Sequence, residues 1–197
     1  MALAGRLLAA GIIVVGAAAC TVAHRTDMFR EDELTDAQQA IADAKLGAGD
    51  LTVEGSVDRP DTTYAPGQPI TLSVKTNKDA SVAILRVLPS GETVLVFPNR
   101  AHRDAGIKAN TVLMVPAQGE AVKIAGDKPG TVLFKFIAST AGNAWIFKRA
   151  PDEGSDFANL GVTTRNIAKD LTSALKPGNG AAAASQVTVR IAGGGLL

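Results

Sequence analysis

The side chains that could do chemistry in this chain are few. Its 197 residues include one cysteine, Cys20, and two histidines, His24 and His102. Zinc is usually held by four Cys and His ligands, and a cysteine nucleophile needs an adjacent base, so neither site can be assembled. No Gly-x-Ser-x-Gly turn presents a serine, and neither an EF-hand loop nor a phosphate-binding glycine pattern occurs. The sequence predicts a protein that is not an enzyme and that binds no metal or cofactor.

Cys20 follows a segment with the three parts of a signal peptide. Arg6 gives a positive start, residues 7–15 are apolar, and residues 16–19 are small, the order found in secretory leaders. The apolar stretch is shorter than the roughly 20 residues that span a bilayer. A cysteine directly after three alanines also resembles the lipobox of bacterial lipoproteins, in which the leader is cut before a diacylated cysteine. A plain secreted or signal-anchored protein is the alternative.

Lipidation of Cys20 would fix the protein to a membrane, because each buried methylene contributes about 0.8 kcal/mol and two or three acyl chains anchor stably. In lipoproteins of bacteria with two membranes, Asp after the cysteine signals retention at the inner membrane, whereas this chain has Thr21. We therefore expect residues 1–19 to be the signal peptide. The mature chain is expected in the cell envelope, anchored by lipid to the outer membrane and facing the periplasm, with surface exposure as an alternative.

Charge and aromatic content argue against nucleic acid as a partner. Twenty Lys and Arg residues balance 19 Asp and Glu residues, and aromatic side chains make up 4% of the chain. Nucleic-acid binding usually needs a basic patch, and single-strand binding needs aromatic platforms. A lone cysteine forms no disulfide within the chain, so apolar burial must hold the fold.

Residues 20–50 are predicted to form a lipidated tether with one short helix. Thr35 and Gln38 fit a capping box, and the helix is expected to run to Leu46 before a Gly47 cap. Its apolar face is mostly alanine, and an isolated helix this short is marginal. The pattern favours a spacer, with a partner-binding helix as the alternative.

From residue 51 the sequence changes to short alternating runs separated by turn residues, which is typical of antiparallel sheets. Residues 81–88 are almost continuously apolar and predict a central strand covered on both faces. A helix is expected to open at Thr164 and to stop at Lys176-Pro177-Gly178. We predict a mainly β fold over 51–193, an Ig-like antiparallel β-sandwich with one or two short peripheral helices. Alternation predicts strands at 51–54 and 70–75. Further predicted strands are 93–97, 111–115, 121–124, 131–139 and 187–191, with 178–185 as a flexible linker.

Several motifs lie at fixed places in this pattern: Tyr64-x-Pro66-Gly67, the strand 80–88, Val96-Phe97-Pro98-Asn99, Pro129-Gly130, and Phe136-Ile137-Ala138-Ser139. Together they resemble the bacterial domain of unknown function family 4384 over about residues 60–140, with Val96 in place of the family's leucine. The resemblance implies a β-sandwich module of bacterial surfaces, found alone in lipoproteins or attached to kinase, caspase-like or peptidoglycan-binding domains. It implies no catalytic role.

Candidate partner-binding residues lie in two polar loops, because loops on a rigid scaffold carry recognition and aromatic and Arg side chains concentrate in binding hot spots. Simpler roles are also open: a solvated loop histidine at 102, a turn cap at 99, and core packing at 145. The candidates are Asn99, Arg100, His102, Arg103, Trp145, Lys148 and Arg149.

These observations favour a cell-envelope lipoprotein that works as a structural or protein-interaction module, such as an accessory of a secretion or surface apparatus, with an envelope protein as its partner. The alternative is a ligand-binding lipoprotein for peptidoglycan, glycan or a small molecule, which the scarcity of aromatic residues disfavours. An enzyme would need a pair of carboxylates such as Asp152 and Asp156, whose spacing gives no catalytic signal.

Overall fold

The computed structural model describes residues 33–46 and 49–193. Cys20, His24 and the predicted signal peptide lie outside these residues, and so does the predicted Gly47 cap. In chain order, the described elements are α1 (Asp36–Ala42), β1 (Val53–Val57), β2 (Thr63–Tyr64), β3 (Leu72–Thr76), β4 (Ala80–Val87), β5 (Thr93–Phe97), β6 (Gly106–Ile107), β7 (Leu113–Val115), β8 (Gly130–Ser139), a 3-10 turn (Trp145–Phe147), β9 (Ala158–Gly161), α2 (Thr164–Ala174) and β10 (Ala182–Ile191).

The described strands form two sheets. The small sheet has the order β1-β3-β7, and the large one has the order β2-β10-β8-β4-β5-β9, with β6 paired to β4. All pairings are antiparallel except the short one between β2 and β10. This architecture confirms the predicted mainly β fold with two sheets and short helices, and α2 begins and ends where the sequence predicts.

The first apolar core lies between the two sheets. Leu72 and Val74 of the small sheet face it, and Ile84, Phe134 and Phe136 of the large sheet meet them there. All five side chains are at most 1% exposed. Burying a side chain of this size contributes roughly 1.5–3 kcal/mol, so this core supplies much of the force that holds the sheets together.

A second apolar core covers the opposite face of the large sheet. Leu85 and Ile137 point to this side, where they pack with Ile41 of α1, Leu171 of α2 and Ile146 of the 3-10 turn. Because β4 is buried on both faces, its apolar residues do not alternate with polar ones, as they would in a half-exposed strand. The prediction that residues 81–88 form a strand covered on both sides is confirmed.

Helix α1 packs on the large sheet and does not stand apart from it as a spacer would. The predicted capping box is present, with Gln38 as its third helical residue. The Gln38 Nε2 also donates to the carbonyls of Val87 (3.1 Å) and Thr131 (2.7 Å). At the other end of the helix, the Lys135 Nζ donates to the Ala42 carbonyl at 2.6 Å. Polar contacts with residues far along the chain thus dock a helix whose own apolar face is thin.

Lys135 is buried beneath α1, with 4% of its surface exposed. Burial lowers the pKa of its ammonium group, and the negative charge of Asp43 partly opposes this effect. The cation lies at the carboxyl end of α1, where the helix dipole favours positive charge. Its stem lies among apolar side chains while its charged end holds the helix.

Helix α1 ends at Ala42 and not at Leu46 as predicted, with Asp43 as its C-cap. Two further segments differ from the sequence prediction because backbone pairing decided them. Residues 121–124 form no strand, although Val122 and Ile124 are buried; a single hydrogen bond joins the Ile70 amide to the Ile124 carbonyl (2.8 Å). Residues 182–185, predicted as part of a flexible linker, are the first part of β10, which pairs along all ten residues of β8. The alanine-rich composition of this segment resembles that of a linker, but β8 supplies the backbone partners.

We predict that Gln38→Ala lowers the free energy of unfolding by about 1–3 kcal/mol, because it removes two buried hydrogen bonds between α1 and the sheet. Urea denaturation of the two proteins measures this difference. Gln39→Ala is the matched control, since Gln39 is exposed and its side chain donates to Asp43, the C-cap of the same helix; it should change stability by less than about 0.5 kcal/mol. Equal effects of the two variants would contradict the docking role of Gln38.

Gly55 of β1 packs directly against the ring of Phe136 in β8. A Cβ at this position would fall 2.1 Å from the Phe136 Cδ2. We predict that Gly55→Ala lowers the free energy of unfolding by about 1–3 kcal/mol through overpacking, as measured by urea denaturation. Ser56→Ala, at the exposed neighbouring position, is the control and should be nearly neutral. A Gly55→Ala variant as stable as the parent would show that the two sheets can move apart.

Candidate functional site

The structure brings the two predicted loops together at one end of the domain. The chain leaves β5 after Phe97 into the first loop, and the 3-10 turn leads into the second. They line a cleft of about 220 Å³, which we call the basic cleft. Its lining residues are Pro98, Asn99, Arg103, Phe147, Lys148, Arg149, Ala150 and Pro151.

Asn99 fixes the course of the first loop from inside the protein. Its Oδ1 accepts hydrogen bonds from the amides of Ala101 (2.9 Å) and His102 (2.8 Å), and its Nδ2 donates to the Val96 carbonyl (3.2 Å). The residue is 0% exposed. Asn99 therefore has the turn-capping role that the sequence offered as its simpler interpretation, and it shapes the cleft from beneath its surface.

Ion pairs and backbone bonds join the loops to each other and internally. The Arg100 Nη2 lies 2.6 Å from the Asp156 Oδ1, and the Arg100 amide donates to the Asp156 carbonyl at 3.0 Å. Arg149 pairs with Asp152 at 3.1 Å. Exposed pairs contribute only about 0–1 kcal/mol, so their main effect is to orient the loops.

Arg103 and Lys148 supply the uncompensated charge of the basic cleft. Both are exposed, and neither forms an ion pair within residues 33–46 and 49–193. The cleft lining contains no acidic residue. The site therefore presents positive charge to an approaching molecule, with the Arg149–Asp152 pair at its border.

His102 does not line the basic cleft. Its ring lies edge-on to Phe97, with centroids 5.3 Å apart, and its Nδ1 is 3.8 Å from the Glu120 Oε1. In the part of the chain that the structure describes, no three His, Cys, Asp or Glu side chains are grouped so that they could hold a metal ion. His102 therefore packs against Phe97 and lies beside Glu120.

Trp145 lies at the surface, so the core-packing interpretation of this residue is wrong. It is 36% exposed, whereas Ile146 and Phe147 are 0% and 4% exposed. A 3-10 turn has about three residues per turn, and successive side chains therefore point in different directions, with the tryptophan outward. Trp145 lies beside Asp170 and Ser173 of α2, away from the basic cleft.

Arg86 is a candidate functional residue that sequence reasoning missed. It lies in β4 between Leu85 and Val87, which are both fully buried, and it lines a second cavity of about 380 Å³. A signal was present, because a charged residue inside a strand predicted to be covered on both faces must be buried or must face a cavity.

The fold and the cleft together define a two-sheet β domain with a loop-built surface site. Residues 63–141 match the family model described as Domain of unknown function (DUF4384), which confirms the resemblance seen in the sequence motifs. The match includes Arg103 of the basic cleft but ends before Lys148 and Arg149. Searches of the curated proteins and of the solved structures each found no match.

None of the described helices has the length and apolar character needed to cross a bilayer.

We predict that Asn99→Ala lowers the free energy of unfolding by about 1–3 kcal/mol, because two amides and a carbonyl lose a buried partner. It should also speed hydrogen exchange at the amides of Ala101 and His102, measured by NMR. Asn143→Ala, at an exposed position, is the control and should change neither. Unchanged exchange in Asn99→Ala would mean that the loop holds its shape without this side chain.

Proposed function

We propose that this protein is a lipid-anchored component of the bacterial cell envelope that works by binding another protein through the basic cleft. The anchor is assigned to Cys20 from the leader pattern and the lipobox resemblance described above. The convergence of two distant loops on one positively charged cleft is the observation that carries the proposal.

The cleft has the properties of a prepared binding surface. Its two halves are more than 40 residues apart in the sequence, yet Asn99 and the Arg100–Asp156 contacts hold them in one arrangement. A surface that is ordered before binding costs less conformational entropy on association. Loops held by a rigid β scaffold are a common setting for recognition.

The charge of the cleft specifies the partner's chemistry. Arg103, Lys148 and Arg149 line it with no carboxylate among them, so an acidic segment of a protein is the complementary ligand. Arginine binds carboxylates through two parallel hydrogen bonds, which adds directional specificity. We therefore infer that the partner presents Asp or Glu side chains to this cleft.

The position of the cleft also suits an anchored protein. The Thr35 hydroxyl, at the start of α1, contacts the Pro89 carbonyl at 3.3 Å, so the N-terminal segment joins the domain beside the β4–β5 turn. The basic cleft follows the other end of the five-residue strand β5, about 17 Å along the strand. The described chain thus enters the domain at one end of the large sheet, and the cleft opens at the other.

We predict that the double variant Arg103→Glu/Lys148→Glu loses its partner. Crosslinking and affinity purification from membranes should recover one stoichiometric envelope protein with the parent chain. Recovery should fall at least tenfold with the double variant, which corresponds to roughly 1.4 kcal/mol of binding free energy. The control is Arg165→Glu/Lys169→Glu, two exposed positions on α2 with the same change in net charge, and it should retain the partner.

Two further results complete this test. Cys20→Ala should move the protein from the membrane to the soluble fraction, because the acyl chains would be lost. Equal recovery with both double variants would contradict the cleft as the interface. Absence of any partner above background with the parent chain would contradict the protein-interaction function itself.

A further inference from the structure

A second cavity lies at the opposite end of β5 from the basic cleft, between the β4–β5 turn and residues 125–129. Its volume is about 380 Å³, and we call it the Arg86 pocket after the arginine that lines it. Every lining residue belongs to the segment 63–141 that matches the family model. The pocket and the proposed protein-binding site therefore lie at different places on the domain and share no lining residue.

Arg86 is poorly satisfied within the fold. Its Nη1 donates to the Ala125 carbonyl at 2.8 Å, and its Nε is buried without a hydrogen-bond partner. A guanidinium group has five N–H donors, but this bond is the one that Arg86 makes to the described residues. The group also forms no ion pair with them. Arg86 is half-buried and lines the cavity, so its remaining donors give the pocket capacity for an anion.

The surroundings of Arg86 limit which anion fits. Burial lowers the pKa of its guanidinium, while the carboxylates of Glu92 and Asp127, which also line the pocket, oppose that shift. Lys128 lines the pocket as well, so two cations face two carboxylates and the lining has no excess positive charge for a doubly charged group such as phosphate. These charges favour a ligand that carries an ammonium or amide group beside a single carboxylate, because each end then meets its opposite charge or a hydrogen-bond acceptor.

Besides these charged groups and Ser90, the walls of the pocket are largely apolar. Leu88, Pro89 and Val132 line it, which suits a small aliphatic group. Its volume lies near the lower end of the roughly 300–1,000 Å³ typical of ligand sites. The pocket therefore suits a ligand of amino-acid or dipeptide size better than an extended chain.

We propose that the Arg86 pocket binds the α-carboxylate of a small aliphatic amino-acid unit, either as a free amino acid or at the C-terminus of a short peptide. Arg86 holds the carboxylate, Glu92 and Asp127 face its amino or amide end, and the apolar walls contact the side chain.

Holding the segment 125–129 in place does not by itself explain Arg86. That segment is already fixed by a hydrogen bond from the Gly67 amide to the Gly126 carbonyl at 2.8 Å and by a bridge between Pro69 and Ala125. Gly126 also packs so closely on Ile191 that a Cβ there would lie 2.5 Å from the Ile191 Cδ1. A single bond from Arg86 to Ala125 adds little to these contacts.

The test is an NMR titration of the full protein, purified from membranes in detergent, with alanyl-alanine as the probe. We expect shifts at Arg86, Ala125 and Val132. The dipeptide with its C-terminal carboxylate converted to an amide is the matched ligand and should bind at least tenfold more weakly, as should inorganic phosphate. A titration with free alanine distinguishes a free amino acid from a peptide C-terminus as the natural ligand. If alanine binds as tightly as the dipeptide, the ligand is a free amino acid; if it binds tenfold more weakly, the ligand is a peptide C-terminus.

Variants complete the assignment. Arg86→Met keeps most of the aliphatic stem and should reduce dipeptide affinity at least tenfold, whereas Arg103→Met, in the basic cleft, should leave it unchanged. Equal binding of the acid and the amide, tighter binding of phosphate, or no shift at the pocket would overturn the proposal. The comparison of alanyl-alanine with its C-terminal amide needs no variant, so it tests the proposal even if Arg86→Met fails to fold. The Arg103→Met result separates this site from the protein-binding site.

Discussion

Strand β8 is buried on both of its faces, and the rest of the fold is arranged around that constraint. On one face, Phe134 and Phe136 pack in the core between the sheets. On the other face, Leu133 and Ile137 pack against the helices. Its backbone pairs with β4 on one side and with β10 along ten residues on the other. A strand in this position needs a cover on each face, which the small sheet and the two helices supply.

Polar side chains inside this apolar structure are informative because burial makes an unpaired polar group costly. Gln38 and Asn99 have partners for their amide groups and hold, respectively, a helix and a loop. Lys135 donates to the end of α1. Arg86 differs, because its guanidinium makes a single hydrogen bond to the residues that the structure describes and it borders a cavity. The same physical rule thus separates side chains that organise the fold from one suited to a ligand.

The two proposed sites lie at opposite ends of β5 and use different parts of the chain. The Arg86 pocket belongs wholly to the segment that matches the family model, whereas the basic cleft also needs residues after 141. A shared scaffold with a pocket and a separate, loop-built surface is a common way for one fold to acquire more than one function. The family description names no activity, so the function of each site depends on its own geometry.

The sequence by itself determined the local features of this protein. Alternation predicted β3, the apolar run predicted a doubly covered β4, and the caps predicted the start of α1 and both ends of α2, since period and capping depend on neighbours within a few residues. Tertiary structure alone decided that α1 docks through Gln38 and Lys135, that the alanine run 182–185 joins β10, and that loops far apart in the chain form one cleft. It also placed Arg86 at a cavity. For Arg86 the sequence shows only a charged residue inside an apolar run. The docking of α1, the pairing of 182–185 and the meeting of the loops depend on partners tens of residues away, for which periodicity and composition carry no signal.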